Sequence, residues 1–197
     1  MTDGTKTHVL VLMGGMSSEH DVSIMSGYKV VAALDRDRYQ VTPVTISRTG
    51  EWQFPDAAPV SVYDAMPKVR ALAVDCVFLA LHGEYGEDGR MQGFLDVLDL
   101  PYTSSGCAAS ALAMDKMRSK AVAASQGICV AGHVALGRDA WAASADAIIA
   151  TVEKDLGYPC VVKPGKLGSS VGVHIPGDRE ALRAAVGRAA AVDEDVL

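Results

Sequence analysis

Residues 8–15, His-Val-Leu-Val-Leu-Met-Gly-Gly, decide the fold class of this 197-residue chain. The apolar run from His8 to Met13 is typical of a buried β-strand, and the two glycines end it. Val22 and Met25 then recur at helical spacing behind Ser18-x-x-Asp21, which has the form of an N-terminal capping box. A buried strand that leads directly into a helix predicts the start of a β–α–β unit.

The same alternation of strands and helices continues along the first half of the chain. We predict strands over residues 40–46 and 74–81 and a helix over residues 91–100. This order predicts an α/β fold with a parallel sheet and helices on its faces. Ligands of such sheets bind beyond the carboxyl ends of the strands. Gly14-Gly15 and His82-Gly83, which both follow strands, are therefore expected to lie side by side at a ligand site.

The second half of the chain has a different pattern. A single Ala-rich helix is predicted from Ser105 to Gln126, closed by Gly127. The remaining predicted elements are a strand near residues 128–136, a helix over 140–156, strands over 158–163 and 171–175 joined as a hairpin, and a helix over 178–191. We place a domain boundary near residue 115, which gives domains of residues 1–115 and 116–197.

Composition excludes several classes of protein. The 18 Lys and Arg against 24 Asp and Glu give a formal charge of −6, which disfavours a nucleic-acid partner. A hydrophobic content of 49% excludes a disordered chain, and no apolar stretch approaches the roughly 18 residues of a membrane span. The polar N-terminus lacks a secretory signal, so a cytoplasmic location is expected. The four cysteines form no Cys-x-x-Cys pair and the five histidines have no i, i+4 pair, so no metal site is predicted.

The glycine-rich segment from Lys163 to Gly172 is the most informative stretch. Its glycines allow close backbone approach, and loop amides with Ser169 and Ser170 can donate to phosphate oxygens, with the Lys163 ammonium nearby. The order of a Walker A motif is absent. An ordinary glycine-containing hairpin remains the alternative.

Three further residues are candidates, each with a structural alternative. Glu19 can anchor a substrate ammonium or merely complement a helix N-terminus. His82 can bind a substrate carboxylate or be structural. Lys116 lies near the predicted boundary, where nucleotide clefts are common, whereas Lys120 is interpreted as part of a solvated face.

Four segments together resemble the D-alanine–D-alanine ligases of the ATP-grasp superfamily: residues 14–23, 80–89, 100–116 and 161–172. They occur in that family's order across almost the whole chain. The resemblance implies a Rossmann-like pre-ATP-grasp substrate domain over 1–115. The first α+β lobe of an ATP-grasp domain would follow over 116–197, with the second lobe absent.

The resemblance also implies a reaction and roles for its residues. ATP would phosphorylate the carboxylate of one D-alanine, and the amine of a second would attack the acyl phosphate, for peptidoglycan precursor synthesis. Glu19 would pair with the ammonium of the first D-alanine, helped by Ser169, while Val22 would line the pocket of its methyl group and His82 would lie near its carboxylate. Lys116 and Lys163 would hold ATP phosphates, and Ser170 would sit near the γ-phosphate. The Mg²⁺ ligands are expected beyond Leu197, and a homodimer without membrane partners is implied.

Alternative functions remain open. We expect the chain to be the N-terminal portion of a ligase, incomplete for catalysis by itself. A non-catalytic protein that binds D-alanine and ATP or serves dimerisation, a ligase that uses D-lactate or D-serine, and another ATP-grasp ligase are the alternatives. An NAD-binding Rossmann protein is disfavoured because no Gly-x-Gly-x-x-Gly follows the first strand.

Overall fold

The computed structural model describes residues 6–168 and 172–197 and divides into two compact units, Met1–Ala111 and Leu112–Leu197. The first unit contains β1 (Thr7–Gly14), α1 (His20–Ala33), β2 (Tyr39–Ile46), β3 (Trp52–Gln53), α2 (Val62–Ala71), β4 (Cys76–Leu79) and α3 (Arg90–Val97). Helix α4 (Cys107–Met114) spans the division, and the second unit contains α5 (Lys116–Ser125), β5 (Leu136–Gly137), α6 (Arg138–Asp155), α7 (Arg179–Val192) and β6 (Asp195–Val196). No helix in the described residues is long and apolar enough to cross a membrane.

The first unit is built on a four-stranded sheet in the order β3-β2-β1-β4. Strand β1 pairs in parallel with both β2 and β4, which confirms the predicted parallel sheet. The continuous apolar run in β1 follows from burial on both faces. Leu10 and Leu12 belong to one core cluster, and Val9, Val11 and Met13 to the other.

Helix α1 packs closely on β1 but does not begin as predicted. A Cβ on Gly27 would lie 2.5 Å from the Cβ of Met13, so only glycine permits this approach. The predicted capping box is wrong, because Glu19 is the N-cap and makes no side-chain cap hydrogen bond. The Ser17 hydroxyl, one residue before the predicted cap, instead donates to the carbonyl oxygen of His82, 2.7 Å away. The helix start is therefore fixed by a tertiary contact.

The second unit departs from prediction in its helices. The single helix predicted over residues 105–126 is wrong, because the chain is interrupted at Asp115, which adopts extended backbone angles. Its carboxylate accepts hydrogen bonds from the amides of Met117, at 3.1 Å, and Arg118, at 2.9 Å. Asp115 therefore caps a new helix whose first residue is Lys116. Helices α6 and α7 confirm the two later helix predictions.

The predicted strands of the second unit are mostly not formed. Of the segment 128–136, only Leu136 enters a strand, paired with Val196, because the preceding side chains are largely exposed and have no partner strand in the described residues. The predicted hairpin is reduced there to one antiparallel bridge between Val162 and His174.

Candidate active site

The segment before α1 and the segment after β4 meet through Ser17. Its hydroxyl donates to the His82 carbonyl oxygen at 2.7 Å and accepts from the Glu19 amide at 3.2 Å. Glu19 and His82, which sequence motifs 63 positions apart had suggested separately, thus lie in one cluster. The carboxyl ends of β1 and β4 are adjacent, as predicted for Gly14-Gly15 and His82-Gly83.

Ser23 is buried in the core and links the ends of β1 and β4. The sequence analysis did not identify this role. The Ser23 side chain is fully buried, accepts from the Gly14 amide at 2.8 Å and donates to the Ala80 carbonyl oxygen at 2.7 Å. In the β1–β4 register, a direct bond between this amide and this carbonyl would be the next ladder bond. The Ser23 hydroxyl stands in that place and couples α1 to both strands.

The side chain of Glu19 is a buried carboxylate. It is 7% exposed, and its Oε1 has no hydrogen-bond partner among residues 6–168 and 172–197. Burial raises the pKa of Glu19, the charge of Glu87 raises this pKa further, and His82 opposes the shift. A buried and unpaired carboxylate is costly, so the site suits a cationic group such as an ammonium.

Gly83 forms one wall beside this carboxylate. Its φ is +70°, and a Cβ there would lie 2.9 Å from Oε2 of Glu19. Both the backbone conformation and the space therefore require glycine. The segment His82-Gly83 consequently approaches Glu19 by its backbone.

His82 has a different polar neighbour at each ring nitrogen. Its Nε2 lies 3.0 Å from the hydroxyl of Ser26, and its Nδ1 lies 3.9 Å from Oε1 of Glu87. The other oxygen of Glu87 accepts from the Gly83 amide at 2.7 Å. The sequence analysis gave no role to Ser26, which lies on a distant segment, or to Glu87, which stands in the same segment as His82.

Val22 and an apolar cavity complete the surroundings of this cluster. Val22 lies one turn after Glu19 on α1 and is 45% exposed, so its side chain is available to a ligand. A cavity of about 250 Å³ lies beyond the strand ends and includes Gly15, His82 and Trp52 in its lining.

In the second unit, Lys116 holds the glycine-rich segment. Its amide donates to the Gly165 carbonyl oxygen at 3.0 Å, and its Nζ donates to the carbonyl oxygens of Leu167, at 2.5 Å, and Gly165, at 3.4 Å. Burial lowers the pKa of Lys116, and the positive charge of Lys163 lowers it further. Two ammonium groups that repel each other in this way form a site suited to a polyanion.

Asp193 and Asp195 also fix the start of the glycine-rich segment. The Lys166 amide donates to Oδ2 of Asp193 at 2.7 Å, and the Lys166 ammonium lies 2.7 Å from Oδ2 of Asp195. A Cβ on Gly165 would lie 2.9 Å from the Cβ of Asp195, so the backbones approach closely here. Ser169 and Ser170, both predicted site residues, lie outside the described residues.

Lys120 was expected on a solvated face, and its surroundings in the structure differ. It is half-buried rather than on a solvated face, donates to the Ala131 carbonyl oxygen at 2.8 Å, and lines a cavity of about 380 Å³ together with Lys163. The i, i+4 spacing from Lys116, which puts both lysines on one face of α5, was the available signal. In the part of the chain that the structure describes, no group of three or more His, Cys, Asp or Glu side chains fits a metal ion.

Comparison with known proteins gives matches along the whole chain. Residues 8–105 match the family described as "D-ala D-ala ligase N-terminus", and residues 122–197 match "D-ala D-ala ligase C-terminus". The D-alanine–D-alanine ligase of Chlorobium limicola is 39% identical over 204 residues, covering 87% of this chain and 56% of the relative.

Solved structures agree in fold. The D-alanine–D-alanine ligase of Coxiella burnetii matches with a TM-score of 0.82 and 29% identity, over 97% of this chain and 62% of that one. The VanG D-Ala:D-Ser ligase of Enterococcus faecalis matches with a TM-score of 0.79 and 27% identity, over 98% and 62%. The chain therefore spans less than two thirds of the length of each of these relatives.

Proposed function

The chain belongs to the D-alanine–D-alanine ligase family, and from this we propose that it supplies a D-alanine site and ATP-phosphate contacts for the ligation of two D-alanines. In this reaction the carboxylate of the first D-alanine takes the γ-phosphoryl group of ATP. The amine of the second then attacks the carbonyl carbon of the acyl phosphate, and inorganic phosphate leaves as the amide bond forms. The dipeptide serves peptidoglycan precursor synthesis in the cytoplasm.

Each unit has its own part in this proposal. We assign residues 1–115 to a Rossmann-like substrate domain, supported by the parallel sheet and the match over residues 8–105. We assign residues 116–197 to the first lobe of an ATP-grasp domain, supported by the match over residues 122–197. A homodimer is part of the proposal by family likeness alone.

The observation that carries the proposal is the buried carboxylate of Glu19. A carboxylate that is 7% exposed with an unpartnered oxygen gains most from a ligand that brings a positive charge and N–H donors. We assign it the ammonium of the first D-alanine, with Ser169 assisting. Val22 then meets the methyl group, and His82 meets the carboxylate before it is phosphorylated.

The lysines of the second unit suit the phosphates of ATP. Dense negative charge gathers at the reacting phosphoryl group, so positioned cations lower the barrier. Lys116 and Lys163 are close enough for one to lower the pKa of the other, and a triphosphate relieves that repulsion. We assign Ser170 to the γ-phosphate. Mg²⁺ would neutralise phosphate charge in such a reaction; the described residues contain no group of three or more His, Cys, Asp or Glu side chains that could hold it, and no step is assigned to it.

The test uses a fusion of this chain with the additional C-terminal segment of a longer relative. Residues 1–197 are fused to the segment of the Chlorobium limicola ligase that follows the matched region, and ADP and dipeptide are measured with ATP, Mg²⁺ and D-alanine. We expect D-alanine-dependent formation of both products. A matched Lys163→Met fusion should bind ATP about 10–150-fold more weakly, from a charged contact of about 1.5–3 kcal/mol.

Two outcomes contradict the proposal. A folded fusion that forms no dipeptide is one, and equal ADP formation with L-alanine is the other. D-Serine is included as second substrate because VanG, a D-Ala:D-Ser ligase, matches this chain with a TM-score of 0.79.

A further inference from the structure

Ser26 and Glu87 contact the two nitrogens of the His82 ring from different elements. Ser26 lies on α1 and Glu87 lies in the loop before α3, whereas His82 follows β4. The distances are 3.0 Å from Nε2 to the Ser26 Oγ and 3.9 Å from Nδ1 to Oε1 of Glu87. An imidazole with a different neighbour at each nitrogen has its proton position determined by those neighbours.

We propose that Ser26 and Glu87 are positioning residues that keep the proton of neutral His82 on Nδ1 and so offer one defined donor to the substrate carboxylate. This inference rests on the proposed D-alanine site. A carboxylate beside Nδ1 favours the tautomer with a proton on that nitrogen, because a bare lone pair there would face negative charge. The Ser26 hydroxyl then donates to Nε2, which is the remaining acceptor of the ring.

The distance to Glu87 leaves the Nδ1–H donor available. At 3.9 Å, Oε1 is too far for a hydrogen bond but near enough to act through its charge. Glu87 is itself fixed, because its other oxygen accepts from the Gly83 amide at 2.7 Å. The carboxylate therefore cannot swing away without losing that bond, and the charge that selects the tautomer stays in place.

Glu19 is the other carboxylate that acts on this ring. Burial and the charge of Glu87 raise the pKa of Glu19, and only a positively charged His82 would lower it. Bound substrate would bring its ammonium to Glu19 and its carboxylate to His82. A fixed imidazole proton thus helps to select a ligand that carries both charges in one orientation.

The test reads the tautomer directly in the 197-residue chain without any ligand. Long-range ¹H–¹⁵N NMR of the histidine rings distinguishes Nδ1–H from Nε2–H. We expect mainly Nδ1–H for His82 in the wild type, although imidazole side chains in water favour Nε2–H. Glu87→Gln should shift the population toward Nε2–H, and Glu84→Gln, an exposed acid in the same loop, should not.

The serine is tested by loss and rescue of its hydroxyl. Ser26→Ala should move the Nε2 resonance of His82, and Ser26→Thr should restore it. His8, whose Nε2 lies 2.9 Å from the Thr42 hydroxyl, reports in each variant that the fold is intact. D-Alanine binding by Glu87→Gln should weaken severalfold relative to Glu84→Gln.

Two NMR results would overturn the inference. A wild-type His82 in the Nε2–H form, or a population unchanged by Glu87→Gln, would do so whether or not D-alanine binds. A chain with the expected tautomers that fails to bind D-alanine would instead contradict the proposed function and remove the substrate role from this inference.

Discussion

Replacing Ser23 by alanine should destabilise the first unit strongly. The fully buried hydroxyl accepts from the Gly14 amide and donates to the Ala80 carbonyl oxygen, at 2.8 and 2.7 Å. Ser23→Ala leaves both backbone groups without that partner, and each unsatisfied buried group costs about 1–3 kcal/mol. Alanine regains about 0.5 kcal/mol of helix propensity. The net loss is about 1.5–5.5 kcal/mol, a large part of the 5–15 kcal/mol typical of a domain.

Urea unfolding followed by tryptophan fluorescence measures this loss. Trp52 is buried in the core of the first unit, and a Trp141→Phe background removes the signal of the second unit. With a slope of about 2 kcal/mol per molar urea, the middle of the usual range, the midpoint should fall by about 1–3 M. Lys29→Ala, an exposed change on the same helix, should stay within about 0.5 kcal/mol.

A loss below about 0.5 kcal/mol for Ser23→Ala would refute the reasoning. It would mean that β1 and β4 close to form the direct bond between the Gly14 amide and the Ala80 carbonyl oxygen. The serine would then not be needed to hold the two strand ends.

Three further predictions concern single groups. Because burial raises the pKa of Glu19, the folded chain binds more protons than the unfolded chain between the ordinary pKa of 4.5 and the raised value. Stability should therefore fall as pH rises through that window, and urea titrations of Glu19→Gln should lack this component. A double-mutant cycle of Lys166→Met and Asp195→Asn should give a coupling of only about 0.2–1 kcal/mol in urea unfolding, because the Lys166 side chain is 43% exposed. Gly83→Ala should weaken D-alanine binding at least about tenfold by calorimetry, since its Cβ would lie 2.9 Å from the Glu19 carboxylate, whereas Gly177→Ala, with no atom within 4 Å, should not.

Periodicity predicted the elements that carry the first unit's sheet. Every residue from Val9 to Met13 is apolar, which predicts a strand buried on both faces, and both faces of β1 are covered. Helix α7 was also predictable, since Asp178 accepts from the Ala181 amide as an N-cap and an apolar face follows. Local pattern and tertiary packing agree in these elements.

Two predictions of secondary structure in the second unit differ from the structure, one for a local and one for a non-local reason. Ala-rich sequence on both sides of Asp115 favoured one continuous helix, although aspartate is a preferred N-cap and this carboxylate starts a second helix there. Among the described residues, the segments predicted as strands over 158–163 and 171–175 share one bridge, between Val162 and His174, and Lys163 exchanges backbone hydrogen bonds with Leu197 instead.

The candidate site was predictable only in its motif residues. Glu19, His82 and Lys116 stand in segments that resemble a known family. Glu87 also stands in one of these segments, but its place beside His82, and that of Ser26 56 positions away in the chain, follow from the fold. Such pairs become visible only when the topology brings the two segments together.

The most direct test of the account is D-alanine binding to the 197-residue chain by isothermal titration calorimetry, with L-alanine and Glu19→Gln as comparisons. We predict that the wild type binds D-alanine in preference to L-alanine. Loss of a buried charge pair costs about 2–5 kcal/mol, so Glu19→Gln should bind D-alanine at least about 30-fold more weakly. Equal binding of the two enantiomers, or unchanged binding by Glu19→Gln, would contradict the account.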